Sequence, residues 1–191
     1  RSKRRKKRRK IYDNSLRKFW DEKMEKTINA LEELLKKDEK NAELWFKLGY
    51  AYFQDNNLKK AIEAYEKGLE LNPEDAIYWQ NLGYIYYESE IYESAIESLK
   101  KAIDLNPKLA IAWTELSSVY VDTENFDKAI KTSKRAIELD SKDEIAWTNL
   151  GSAYYNKKEY GKALDYMTKA YCIWQKSLPS HHHNMPRIQA N

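Results

Sequence analysis

Residues 75–87 read DAIYWQNLGYIYY, one Trp and four Tyr in thirteen positions, and the placing of those rings decides the fold. Trp79, Leu82, Gly83 and Tyr86 stand at i, i+3, i+4 and i+7, which is one face of an α-helix. The pattern recurs as ELWFKLGYAYF at 43–53, IAWTELSSVYV at 111–121 and IAWTNLGSAYY at 145–155. Trp45, Trp79, Trp113 and Trp147 are therefore separated by steps of 34. A second motif keeps the same step: AIEAYEKGLELNP, AIESLKKAIDLNP, AIKTSKRAIELDS and ALDYMTKAYCIWQ begin at Ala61, Ala95, Ala129 and Ala163. In it Ala95, Leu99, Ala102 and Ile103 share a face, so each unit reads as two helices. Short polar links such as QDNN and DTEN separate the pair, and LNPED or LNPKL separates units. One such pair cannot cover its own apolar face, so neighbours must stack.

These anchors resemble the tetratricopeptide repeat (TPR) family. In the second unit Trp falls at the fourth place, Leu-Gly at the seventh and eighth, and Tyr at the eleventh. Ala follows at the twentieth and twenty-seventh, and Pro at the thirty-second. The departures are local: Gly68 replaces an Ala, at about 1 kcal/mol of helix propensity, Ser117 replaces the Gly, and Ser141 and Gln175 replace the Pro. The resemblance implies an all-α, right-handed superhelix of four helix-turn-helix repeats at 42–75, 76–109, 110–143 and 144–177. Before it lie a disordered polybasic arm at 1–12 and an N-terminal capping helix at 13–41, with Asp13, Asn14 or Ser15 as its cap. Thr27, Ile28, Leu31, Leu34 and Leu35 would cover the first unit. Trp20, Met24, Thr27, Leu31 and Leu34 also step as a coiled-coil seam, the alternative reading of this helix. After the repeats comes a flexible tail at 178–191.

Composition sets the limits. Five Gly and four Pro in 191 residues suit long helices better than a turn-rich β fold. Of 34 Lys and Arg, nine lie in RSKRRKKRRK at 1–10, so 25 remain against 30 Asp and Glu and the body is acidic. Arg1, Lys3, Arg4, Arg5, Lys6, Lys7, Arg8, Arg9 and Lys10 would meet an anionic partner, a nucleic acid or a membrane surface. With no aromatic residue before Tyr12 to stack on bases, nucleic-acid binding there would be non-specific and salt-dependent. Lone Cys172 allows no internal disulfide and fits a reducing compartment. No apolar run is long enough to span a bilayer. The expectation is an intracellular protein, cytoplasmic or nuclear, with a membrane anchor upstream of Arg1 left open.

Residues for catalysis are scarce. The three His are adjacent at His181, His182 and His183, outside the repeats and without the helical spacing of a zinc site. Cys172 has apolar sequence neighbours and reads as packing. No phosphate-cradling glycine loop is present, so no catalysis and no cofactor are expected.

The resemblance also supplies a candidate site, since in TPR proteins the first helices line a concave surface. Carried over by position, that surface takes Phe46, Tyr50 and Phe53 from the first unit and Ile77, Asn81, Tyr84, Tyr87 and Glu88 from the second. The third gives Ile111, Glu115 and Asp122, and the fourth Asn149 and Tyr155. The full strip has four acids, one cation and six aromatic rings, with rings suited to hot spots and Asn81 and Asn149 suited to a ligand backbone. For Phe46 and Tyr87, packing between neighbouring first helices is an equal reading. Of the clamp by which TPR co-chaperones grip a C-terminal carboxylate, only Asn81 survives in the first three units. The expectation is a protein-binding adaptor or scaffold holding an apolar or basic peptide rather than an acidic chaperone tail. Alternatives are a component of an RNA-containing or other anionic assembly held by the arm, and the recognition fragment of a larger enzyme. Leu164, Met167, Tyr171, Ile173 and Trp174 give the last helix apolar residues on nearly every side, which suggests a further contact, either Met185 and Ile188 folded back or a partner.

Overall fold

The structure, a computed structural model, describes the backbone of residues 2–177 and the side chains of residues 18–177. The expectations for Arg1, for the side chains of Lys3 to Lys10, and for His181 to His183, Met185 and Ile188 lie outside those described residues. Every element described is an α-helix, as the 34-residue pattern requires. They are α1 (Ser2–Lys37), α2 (Ala42–Gln54), α3 (Leu58–Leu71), α4 (Ala76–Glu88), α5 (Tyr92–Leu105), α6 (Ala110–Asp122), α7 (Phe126–Leu139), α8 (Glu144–Asn156) and α9 (Tyr160–Ser177). The chain divides between Leu105 and Asn106 into two compact units.

The helix boundaries follow from local chemistry. Asn41, Asp75 and Asp143 turn their side chains onto the backbone N–H of Leu44, Ile77 and Ile145, at 3.2, 2.9 and 2.9 Å, which satisfies donors the helix itself cannot. Within each pair the reversal is made by a residue in the left-handed region: Asn56, Glu90, Glu124 and Lys158, at φ of 59, 59, 56 and 64°. Asn accepts that geometry readily, whereas Glu and Lys take it at a cost of order 1 kcal/mol. Polar links were legible in the sequence; the recurring strained position inside them was not.

The Trp of each repeat does more than fill space. The Nε1 of Trp45, Trp79, Trp113 and Trp147 donates to the backbone carbonyl of Glu39, Pro73, Pro107 and Ser141, at 2.8, 2.8, 3.0 and 3.0 Å. Each indole therefore pins the link that leads into its own first helix, the polar handle a half-buried Trp needs.

In the first unit, α2–α5 form two hairpins and α1 covers the open side of the first. Ile28 and Leu35 are buried against it, with Met24 and Leu31 packed beside them, so this part of α1 caps the repeats as expected. The start of α1 differs from expectation. Residues 1–12 read as a disordered arm, but the helix begins at Ser2 and its backbone runs on through Asp13, Asn14 and Ser15, so the helix does not start there. Lys and Arg are good helix formers, and no Gly or Pro occurs between Ser2 and Lys37 to end the helix.

In the second unit, α6–α9 repeat the plan. Leu150, Tyr154 and Ala163 form a core with Ile130, Ile137, Trp147 and Tyr166 around it. The Tyr166 ring stacks on both Trp147 and Tyr154, at centroid distances of 5.9 and 5.4 Å. Cys172 is exposed on α9, so the packing role read from its apolar neighbours is corrected: those neighbours are themselves mostly exposed.

Candidate binding cleft

In the first unit α1, α2 and α4 enclose a cleft of about 560 Å³. Its walls are Trp20, Met24, Thr27 and Leu31 from α1, Tyr50, Ala51 and Gln54 from α2, and Tyr78 and Asn81 from α4. Phe46 and Tyr65 also reach it from beneath. The volume lies within the range of about 300 to 1,000 Å³ common to ligand pockets.

The floor is built on a glycine. Phe46 is only 3% exposed, and a Cβ added at Gly68 would stand 2.3 Å from its Cε1. The ring lies in the notch that Gly68 leaves in α3, and its other face stacks on Tyr78 at a centroid distance of 3.4 Å. Gly68 is thus no mere weakening of α3: an Ala there would expel the ring that carries the stack. A similar approach holds Tyr65, whose Cδ2 would be 2.6 Å from a Cβ at Gly49. Burial pushes the Tyr65 hydroxyl up to about 12, against the opposing pull of its hydrogen bond with Asn81.

Above this floor the walls stay open. Tyr50 and Trp20 are each 57% exposed. Lys23 lies over the Trp20 ring, with Nζ 5.1 Å from the centroid. At the rim Lys47 and Glu43 form an exposed ion pair at 2.7 Å. The Lys47 hydrogen bond holds the Glu43 carboxyl below its usual range. An exposed pair of this kind contributes little to stability, and with Lys23 it leaves the cleft mainly apolar, with two cations and one acid at its edge.

The residues taken from the sequence fare differently. Phe46, Tyr50 and Asn81 come together in the cleft, Phe46 as its buried floor, so the packing reading describes that ring. Phe53 and Tyr84 meet edge to face at 5.8 Å, and Tyr87 lies 6.3 Å from Tyr92. Ile77 and Glu88 are exposed. In the second unit Ile111 and Tyr155 are exposed, Tyr155 against Tyr160 at 5.4 Å. Glu115 and Asp122 have interaction partners within the protein. Asn149 is buried, and its amide donates to Ser117 Oγ and Ser118 Oγ, both at 2.8 Å. That corrects the picture of Asn149 as an open clasp, because both amide protons are committed inside the unit.

Sequence reasoning missed the contribution of α1. Trp20, Met24, Thr27 and Leu31 were legible as a cap or a seam, and their 4, 3, 4 spacing was the available signal that one stripe faces a cavity. Among the described residues no group of three or more His, Cys, Asp or Glu is placed to hold a metal, and no helix is long and apolar enough to cross a membrane.

Helix pairs of this period, with Trp, Gly, Tyr and Ala at the joins, define a TPR solenoid, a scaffold for protein–protein interaction. The chain belongs to the family of the Cilia and flagella-associated protein 70 C-terminal domain, whose profile matches residues 18–182. No curated protein matches it by sequence. Among solved structures, MamA is similar at 29% identity and a TM-score of 0.77, covering 84% of this chain and 94% of MamA. MamA 41-end from Desulfovibrio magneticus RS-1 is similar at 22% identity and a TM-score of 0.77, over 89% of this chain and 97% of that one. YrrB, a TPR protein with an unusual peptide-binding site, is similar at 23% identity and a TM-score of 0.72, over 82% of this chain and 80% of YrrB.

Proposed function

We propose that this scaffold is an adaptor that holds an apolar or basic peptide segment in the cleft of its first unit, without catalysis. The observation that carries the reading is the contrast inside the cleft. Phe46 is spent on the stack with Tyr78, while Tyr50 and Trp20, its neighbours in the same cleft, keep more than half their surface in water. Rings held by a rigid base offer contact area at small entropic cost. Apolar anchors would enter between Tyr50 and Trp20, and a basic flank would compete with Lys47 for Glu43 at the rim.

Selection from a displayed peptide library, followed by titration of the selected peptides, tests this. Tyr50→Ala is expected to weaken binding about tenfold or more, the loss typical of an aromatic hot spot. Peptides whose affinity survives both Tyr50→Ala and Trp20→Ala would remove the cleft as the site.

A second reading rests on the eight cations from Lys3 to Lys10 carried by the first turns of one continuous helix, a basic element suited to a phosphate surface. Deletion of residues 1–10 should then abolish a salt-sensitive affinity for duplex DNA or anionic vesicles. An affinity indifferent to both salt and deletion would end this reading.

A further inference from the structure

On α9, Tyr160, Leu164, Met167, Tyr171 and Trp174 follow one another at steps of 4, 3, 4 and 3, and all five are exposed. This is the a/d spacing of a helix seam, carried over the whole length of the helix. The corresponding stripe on α3 shows what normally happens to it. Tyr65 and Leu69, three repeats earlier, are each 3% exposed because α4 packs over them, whereas Met167 and Tyr171 remain 39% and 54% exposed. The surface is therefore shaped for a helix, and among the described residues no helix lies on it.

We propose that the helix that covers α9 is α9 of a second copy of this chain, in antiparallel register about a two-fold axis at Met167. Charge argues for a like partner. The flanking positions Gly161, Thr168 and Gln175 on one side, and Ala163 and Ala170 on the other, are all uncharged. Two copies therefore meet no like-charge repulsion, and a charged foreign helix would find nothing to pair with. Size argues the same way. Antiparallel pairing sets Leu164 opposite Tyr171 and Tyr160 opposite Trp174, an aliphatic or smaller ring against a larger one in the four outer layers, with Met167 against its own copy at the centre. First-type helices such as α2 already bury their faces in their own hairpins, whereas α9 keeps this stripe exposed even though Met167 rests on Gly151 and Tyr160 meets Tyr155 within the hairpin. Three half-exposed aromatic rings with Leu164 and Met167 on each copy would bury roughly 1,000 Å² in total, the lower end of specific interfaces. The two-fold contact closes on itself, so assembly stops at two.

Sedimentation of the full chain from about 1 to 100 µM should show a monomer–dimer equilibrium with a dissociation constant in the micromolar range. Leu164→Glu/Tyr171→Glu should weaken it at least about a hundredfold. Its helical signal should not change, nor its melting at concentrations where the wild type is monomeric, since both residues are exposed. Leu164→Glu/Tyr171→Lys, which sets opposite charges face to face only in the antiparallel register, should dimerise about tenfold more tightly than the double Glu variant. A monomer at every concentration would overturn the proposal and point to chain beyond Ser177 or a foreign helix as the cover. Oligomers that keep growing with concentration would overturn it as well, as would equal behaviour of the two charge variants.

Discussion

Where α2 meets α4 the join is made of rings, and where α6 meets α8 it is made of hydroxyls and one amide. Phe46 and Thr114 occupy the same place two repeats apart, as do Tyr50 and Ser118, and Asn81 and Asn149. Phe46 stacks on Tyr78, and Phe53 meets Tyr84 edge to face. Thr114 instead donates to the carboxylate of Asp143, the residue that caps α8. Ser117, standing where the other repeats have Gly, donates to the Thr114 carbonyl at 2.7 Å and accepts from Asn149. The repeat frame decides which positions meet and leaves the chemistry of the meeting open. A join of bulky rings leaves a cleft beside it; a join of small hydroxyl residues closes by directional hydrogen bonds and fixes register.

The largest effect should come from the ring join. Phe46→Ala is expected to cost about 3 to 5 kcal/mol, as a buried aromatic does, measured by chemical denaturation followed by circular dichroism. Gly68→Ala, which helix propensity alone would make favourable, should cost about 1 to 3 kcal/mol because the Phe46 ring must leave its notch. The two losses should fall well short of adding, because both remove one stack. A gain in stability from Gly68→Ala would break the comparison at its root.

The second unit, which holds the hydroxyl join, should respond to smaller changes, and in both directions. Asn149→Ala leaves Ser117 and Ser118 without their shared donor and should cost about 2 kcal/mol. Ser133 is fully buried, and its hydroxyl has no hydrogen-bond partner among the described residues. Ser133→Ala should therefore stabilise the unit by about 1 kcal/mol. Loss of stability on removing that hydroxyl would mean that it is satisfied after all.

The smallest effect tests what the units share. Glu90→Gly and Glu124→Gly each relieve a left-handed residue at the same reversal, φ 59 and 56°. Each should gain about 0.5 to 1 kcal/mol, one in each unit. Unequal gains would show that the reversals, like the joins, have diverged.

The helices and their period were legible because repetition averages over local exceptions: four Trp at a fixed step outweigh one Ser in place of Gly. The side-chain roles were less legible, because they depend on the partner across the join. Phe46 and Tyr50 lie four positions apart and look alike in the sequence; only the notch at Gly68 separates a floor from a wall. Asn149 matches Asn81 by position, yet Ser117 and Ser118 opposite it take both its protons. The contribution of Trp20 to the cleft was hidden for a related reason, since Trp20 lies ahead of KMEKTINALEELLKKDEKN at 23–41, the part of α1 that lines up with the second-helix motif 34 residues later.

The six Trp of this chain divide into two optical classes. Trp45, Trp79, Trp113 and Trp147 are each tied to a backbone carbonyl in the link just ahead of their own repeat, so their emission reports whether that junction is intact. Trp20 and Trp174 are 57% and 45% exposed, one in the cleft and one on the bare side of α9, and would emit further to the red. Variants that keep a single indole would therefore act as separate gauges, four for the order in which the array comes apart and two for what settles on its surfaces.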